Sequence, residues 1–157
     1  MFTKDIMCKK LILIASMLLA VAGCSKSNVN EEKEAPRSSV YSGSLNVVAG
    51  GKDNVTEGVE VNADIDKDGV LTLVFHKVKF VPQMPVSLDV TVPDVKYSRE
   101  ADGSLLLSGD GIVPITMMQP YPKYTVTGLS GKMSDKALSI SLNFGEFPTS
   151  YSGNVVE

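Results

Sequence analysis

Between Leu138 and Phe144 the chain reads Leu-Ser-Ile-Ser-Leu-Asn-Phe, with apolar residues at every second position and small polar residues between them. Successive side chains of an extended strand point to opposite faces. This spacing therefore puts Leu138, Ile140, Leu142 and Phe144 on a buried face and Ser139, Ser141 and Asn143 on a wet one. No other feature limits the fold as strongly, because a slip of one residue would reverse every side chain. The same period recurs upstream. Tyr41, Gly43, Leu45 and Val47 alternate with Ser42, Ser44 and Asn46, and Val59, Val61, Ala63 and Ile65 alternate with Glu60, Asn62 and Asp64. Val86, Leu88, Val90 and Val92 alternate with Ser87, Asp89 and Thr91. Gly50-Gly51, Asp66 to Gly69 and Ala101-Asp102-Gly103 supply turns between such runs. From Val40 onward no ten-residue segment spaces its apolar positions at 3.6 residues, so essentially no helix is expected there.

Val70 to Val81, VLTLVFHKVKFV, breaks its own phase: Leu71, Leu73 and Phe75 share a face that Lys77 and Lys79 would continue, while Val78 and Phe80 fall opposite. A bulge near His76-Lys77 would restore one apolar face. Further strands are expected at Val95 and Tyr97 after Pro93-Asp94, at Leu105 and Leu107, and from Ile112 to Met118. Two more are expected from Tyr124 to Met133, where Tyr124, Val126 and Gly128 begin one face, and from Thr149 to Val155. Eight or nine short strands without a helical crossover predict an all-β domain, either a closed barrel or a β-sandwich. Tyr41-Ser42-Gly43 and Tyr151-Ser152-Gly153 repeat one motif in the first and last strands, which become neighbours if an up-and-down sheet closes. With the phase break, this favours a single small antiparallel up-and-down β-barrel of about eight strands.

The N-terminal segment differs in kind. Lys4, Lys9 and Lys10 precede the apolar run Leu11 to Ala22, which is within the length of a secretory h-region and too short to span a bilayer. Residues 1–23 are thus expected to be a signal peptide. Val21-Ala22-Gly23-Cys24 resembles the lipobox of bacterial lipoproteins, with Val where Leu is commoner. That resemblance implies cleavage before Cys24 and lipidation of its sulfur, and hence a lipid-anchored protein of the bacterial cell envelope, at the outer membrane. Cys8 leaves with the peptide and the lipid occupies Cys24, so no disulfide is available. The domain must depend on its core, which a chain that is 43% hydrophobic can supply.

Removing residues 1–23 takes three of the 15 basic and one of the 18 acidic residues, leaving 12 and 17, a net charge of −5. A nucleic-acid partner, which needs a basic face, is not expected. Residues 24–39 hold the lipidated Cys and a polar stretch, SKSNVNEEKEAPRSS, too poor in apolar residues to fold, which is expected to serve as a tether. Glu31-Glu32-Lys33-Glu34 reads as a solvated part of it. An acidic patch after the lipidated Cys also resembles signals that carry some lipoproteins to the cell surface, so the leaflet stays open.

Residues 40–157 are expected to form one domain. The opening Tyr-x-Gly, Asp68-Gly69-Val70-Leu71-Thr72-Leu73 running into an aromatic-bearing strand, and Leu138-Ser139-Ile140-Ser141-Leu142 resemble the calycin-like, lipocalin-like β-barrel domain of bacterial lipoproteins. Lipocalins carry a Gly-x-Trp in the first strand, and this chain has no Trp. The resemblance carries no functional residues with it.

Asp64-x-Asp66-x-Asp68-Gly69 has the alternating carboxylates of a Ca²⁺ loop. Phe75 stands where the bidentate Glu belongs, and strands flank the segment, so a solvated hairpin turn is the expected reading, with weak Ca²⁺ binding as the alternative. His76 is the only histidine, which leaves no His pair for zinc and no triad that avoids it. No spacing pairs it with Met84, Met117 or Met118 as a haem ligand, so neither a cofactor nor catalysis is expected. Pro82-Gln83-Met84-Pro85 and Met117 to Pro122 are two apolar, proline-stiffened loops without charge. At one end of a barrel, Met84, Met117, Met118, Tyr121 and Tyr124 would form a rim for a small apolar ligand or an envelope partner. The opposing reading is that they fold over and cap the core. Two functions remain open: a membrane-anchored binding barrel, or a structural subunit of an envelope complex whose barrel is filled.

Overall fold

The computed structural model describes residues 34–157. Ten strands follow one another: β1 (Arg37–Ala49), β2 (Lys52–Ile65), β3 (Leu71–Val78), β4 (Leu88–Arg99), β5 (Leu105–Gly109), β6 (Ile115–Thr116), β7 (Gln119–Pro120), β8 (Val126–Met133), β9 (Ala137–Phe144) and β10 (Phe147–Val155). Eight of them, β1 to β5 and β8 to β10, close into an antiparallel barrel in which β10 pairs with β1 and β3 with β4. The β6–β7 hairpin lies outside the ring and attaches to β4 through Thr91 and Ile115. The one helical element among the described residues is the 3-10 turn Pro122–Tyr124.

Strand alternation produces the barrel as expected. Leu138, Ile140, Leu142 and Phe144 are buried, as are Leu45, Val47, Val59, Val61, Ala63 and Ile65, while Ser139 and Ser141 face outward. The two Tyr-Ser-Gly motifs lie on adjacent strands, with Gly43 opposite Gly153. The bulge in β3 is also present. Between Phe75 and Val78 the register with β4 shifts, and Lys77 adopts φ 56°. The Lys77 N–H donates to Asp89 Oδ1 over 3.0 Å, which fixes the bulge and lets Phe75, Val78 and Phe80 all point inward.

Several boundaries differ from the sequence reading. β1 begins at Arg37, three residues ahead of Val40, because Arg37 to Ser39 pair with Ile65 to Ala63. Val86 is exposed, outside β4. Pro93-Asp94 does not divide two strands. Asp94, at φ 53°, forms a second bulge inside β4, so that Val92 and Val95 both reach the core. In β8 a third bulge at Gly128, φ 59°, shifts the buried positions from Val126 to Leu129 and Met133. Ile112 to Met118 is mostly loop, with only Ile115 and Thr116 in strand.

The meander fixes what lies at each end. Arg37 and the turns after β2, β4 and β8 share one end, where Arg37 pairs with Asp135 at 3.1 Å and Arg99 with Glu34 at 3.4 Å. The opposite, upper end holds Gly50-Gly51, the β3–β4 loop, the segment carrying β6 and β7, and the β9–β10 turn.

Candidate functional site

The two proline-stiffened loops meet at the upper end, and an aromatic stack organises them. Phe80 lies 4.1 Å from Tyr124 and 5.4 Å from Phe147 between ring centroids, and Tyr124 stacks on Tyr121 at 4.9 Å. Below them Phe80 meets Phe144 edge-on at 5.5 Å, and Phe144 meets Phe75 at 5.6 Å. Offset-stacked and edge-on pairs at these separations are favourable beyond their buried area. The result is a continuous aromatic column from the barrel centre to its mouth. The Phe80 N–H donates to the Met84 thioether at 3.2 Å, which holds the β3–β4 loop down over the column. The 3-10 turn brings Tyr124 inward, and the Gly145 N–H bonds Thr125 O at 3.0 Å.

This arrangement divides the five residues expected at the rim. Met84 and Tyr121 are partly buried against the core and Tyr124 is 8% exposed, so these three cap it. Met117 and Met118 stand outside, 69% and 96% exposed, at the tip of the β6–β7 hairpin. Ile115 of the same hairpin is exposed, as are Val86 and Val113. Phe80 and Phe147 are central to the closure, and the sequence reading does not place either at the rim. Their signal is their position, Phe80 just past β3 before Pro82 and Phe147 at the start of β10 after Gly145.

His76 sits on the β3 bulge with Nδ1 3.2 Å from Asp89 Oδ2. The Lys77 N–H, and after it His76, hold the Asp89 carboxyl below its ordinary pKa. A small cleft of about 190 Å³ lined by Thr56 to Glu60, His76 and Lys77 opens where β2 and β3 part beyond Val61 and Phe75. His76 thus braces a backbone irregularity.

The Asp64 to Gly69 turn uses the carboxylates of Asp64 and Asp66 internally. Asp66 Oδ1 accepts the N–H groups of Asp68 at 2.8 Å and Val70 at 3.0 Å, and Asp64 accepts the Ser38 hydroxyl. Asp102 does the same for the β4–β5 turn. Its bonds from the Ser104 hydroxyl and N–H lower its pKa to about 2. Among the described residues no three or more His, Cys, Asp or Glu side chains are grouped to hold a metal ion.

On the outer wall a groove of about 560 Å³ crosses β1, β10, β9, β8 and β5. Its lining comes from paired small residues, Ser44 opposite Ser152 opposite Ser139, and Asn46 opposite Ser150 opposite Ser141 opposite Ser130. These are the wet faces of the strands whose dry faces fill the core.

At the seam, Tyr151 donates its hydroxyl to Val59 O at 3.0 Å and Tyr41 donates to Ser134 O at 2.6 Å. Burial pushes the Tyr151 phenol up to about 12 and raises Tyr41 as well. Both are structural anchors. Cys24, the expected lipidation site, lies outside the described residues, as do the signal peptide and most of the tether. Compared with protein-family models, with curated proteins and with solved structures, the chain matches none.

Proposed function

We propose that this protein is a lipid-anchored, calycin-like lipoprotein of the bacterial envelope whose barrel is a filled, non-catalytic scaffold that acts through its outer surface. The observation that carries this reading is the aromatic column. An eight-stranded barrel is just wide enough either to fill itself or to hold one small molecule. Here Phe75, Phe144, Phe80 and Tyr124 run along its interior to the mouth, and Met84, Tyr121 and Phe147 pack over them. A ligand entering from the upper end would have to displace stacked rings. The alternative of a small apolar ligand held inside is therefore the weaker one. The Val21 to Cys24 motif supports the anchor, with the outer membrane as its place.

Two measurements test the proposal. Metabolic acyl labelling should mark the wild-type chain, and Cys24→Ala should abolish the label and leave unprocessed precursor. Denaturing the purified protein and extracting it with organic solvent should release no stoichiometric small molecule. A co-extracted compound at one per chain would refute the filled barrel, and a labelled Cys24→Ala chain would refute the anchor.

A further inference from the structure

The β6–β7 hairpin is unlike the rest of the molecule. Its two-residue loop has positive φ at both positions, 51° at Met117 and 62° at Met118. Such a turn favours Asn and Gly, which tolerate the left-handed region, whereas a long side chain there is strained. The tip is also the most exposed apolar point among the described residues, with Met118 at 96% and Ile115 of the same hairpin exposed. Two unfavourable choices, a strained backbone and exposed thioethers, coincide in two adjacent residues.

The residues behind the tip follow a set order. Past Met117 and Met118 come Pro120, then half-buried Tyr121, then exposed Lys123, whose ammonium lies 5.8 Å from the Tyr124 ring. Lys79 is exposed on the neighbouring loop, and neither residues 78–88 nor residues 111–134 contain an acid. Of the acids nearby, Asp89 accepts the Lys77 N–H and Asp110 the Gly128 N–H, and Glu146 lies on the β9–β10 turn. Along the chain, apolar tip, amphipathic ring and cation follow in the order in which a bilayer presents hydrocarbon, interface and phosphate.

We infer that the Met117-Met118 hairpin inserts into the interface of the bilayer that carries the lipid anchor, as a second, weak contact that orients the barrel. The inference rests on the anchored reading above. A two-residue convex knob cannot bury the roughly 800 Å² per partner of a stable protein interface, whereas a bilayer receives a knob without shape complementarity. Weakness is no obstacle, because a chain already anchored meets the membrane at a high effective concentration. The hairpin is at the end opposite Arg37, so the barrel must lean over. Nine residues separate Cys24 from Glu34, which Arg99 holds at the Arg37 end. Extended, they reach at most about 30 Å, which matches the roughly 30 Å height of the tilted 13-residue β1.

The chain has no tryptophan, so Met118→Trp supplies a single emitter. The acylated full-length variant is incorporated into vesicles of phosphatidylethanolamine and phosphatidylglycerol, with and without brominated acyl chains, and floated on a density gradient. The expected result is a blue-shifted emission that brominated lipid quenches several-fold more strongly than the emission of a Ser141→Trp control on the outer wall. Met117→Trp gives a second reporter should the first substitution disturb the hairpin. A floating protein whose tryptophan at 118 stays water-exposed and unquenched overturns the inference. So does a blue shift without bromine quenching, which would place the tip against protein. If the full-length chain, expressed in cells that acylate lipoproteins, is recovered without an acyl group, the anchor reading is refuted instead, and the inference falls with it.

Discussion

Gly43 lies directly opposite Gly153 across the seam where β1 meets β10, and the two strands approach there more closely than any side chain allows. A Cβ on Gly43 would collide with the carbonyl oxygen of Ser152 and the Cα of Gly153. A Cβ on Gly153 would run into the Tyr151 ring, which covers this glycine and sends its hydroxyl on to Val59 O. The seam is closed by bare backbone overlaid with an aromatic ring, as glycines in curved sheets often are.

Gly43→Ala should therefore be among the most damaging small substitutions in the barrel. Its obstacle is backbone, which cannot rotate aside, and overpacking of this kind costs about 3 kcal/mol. Gly50→Ala is the comparison. Gly50 has φ 57° but open space around its missing Cβ, so only conformational strain of about 1 kcal/mol applies. Urea titration of both variants should give the lower midpoint to Gly43→Ala. Equal midpoints would mean that the seam relaxes.

A filled barrel, as proposed, makes a second expectation quantitative. Ile140 is 2% exposed and its strand neighbours Leu138 and Leu142 are equally buried. Ile140→Ala should cost about 4 to 5 kcal/mol, the upper part of the range for cavity formation, because a packed interior has little freedom to collapse. Ser141→Ala, on the outer face of the same strand, should change stability by less than about 0.5 kcal/mol. A loss near 2 kcal/mol for Ile140→Ala would point to a wall lined by water or ligand.

Alkaline pH should unfasten the seam. Tyr151 ionises near pH 12 in the folded chain because burial disfavours the phenolate, against an ordinary value of 10.0. Between pH 10 and 12 the unfolded state releases this proton and the folded state retains it. The stabilisation is thus complete below pH 10 and is lost as pH rises through 12. Tyr41, shifted in the same direction by burial, adds to the effect. Denaturation midpoints should fall from pH 9.5 to 11.5 in the wild type and fall less steeply in Tyr151→Phe. That variant should itself lose about 1 to 3 kcal/mol at neutral pH, since Val59 O is left without its donor. A pH-independent difference between the two proteins would place the hydroxyl in water.

The barrel was legible in the sequence because strand periodicity is local. Whether Leu138, Ile140, Leu142 and Phe144 share a face depends only on the two-residue repeat of an extended chain. The phase slip at His76-Lys77 marked its own bulge, since a lysine at an inward position is too costly to persist. The bulge at Gly128 was not legible, because no misplaced charge interrupts the pattern there, and the one at Asp94 was masked, because Asp94 falls in phase with Val90 and Val92 but the adjacent Pro93 reads as a strand boundary. They appear only when β4 and β8 must follow their partners around a closed ring. The two loops at the upper end show the same limit. Met84, Met117, Met118, Tyr121 and Tyr124 are alike in polarity, so composition grouped them together. Only the meeting of Phe80, Tyr124 and Phe147 in space decided that Met84, Tyr121 and Tyr124 turn in and that the Met117-Met118 pair turns out. What the chain determined by itself was which face of each strand is dry. What tertiary structure decided was how the ends of those strands close, because closure depends on contacts between residues as far apart as Phe80 and Phe147 that no local pattern encodes.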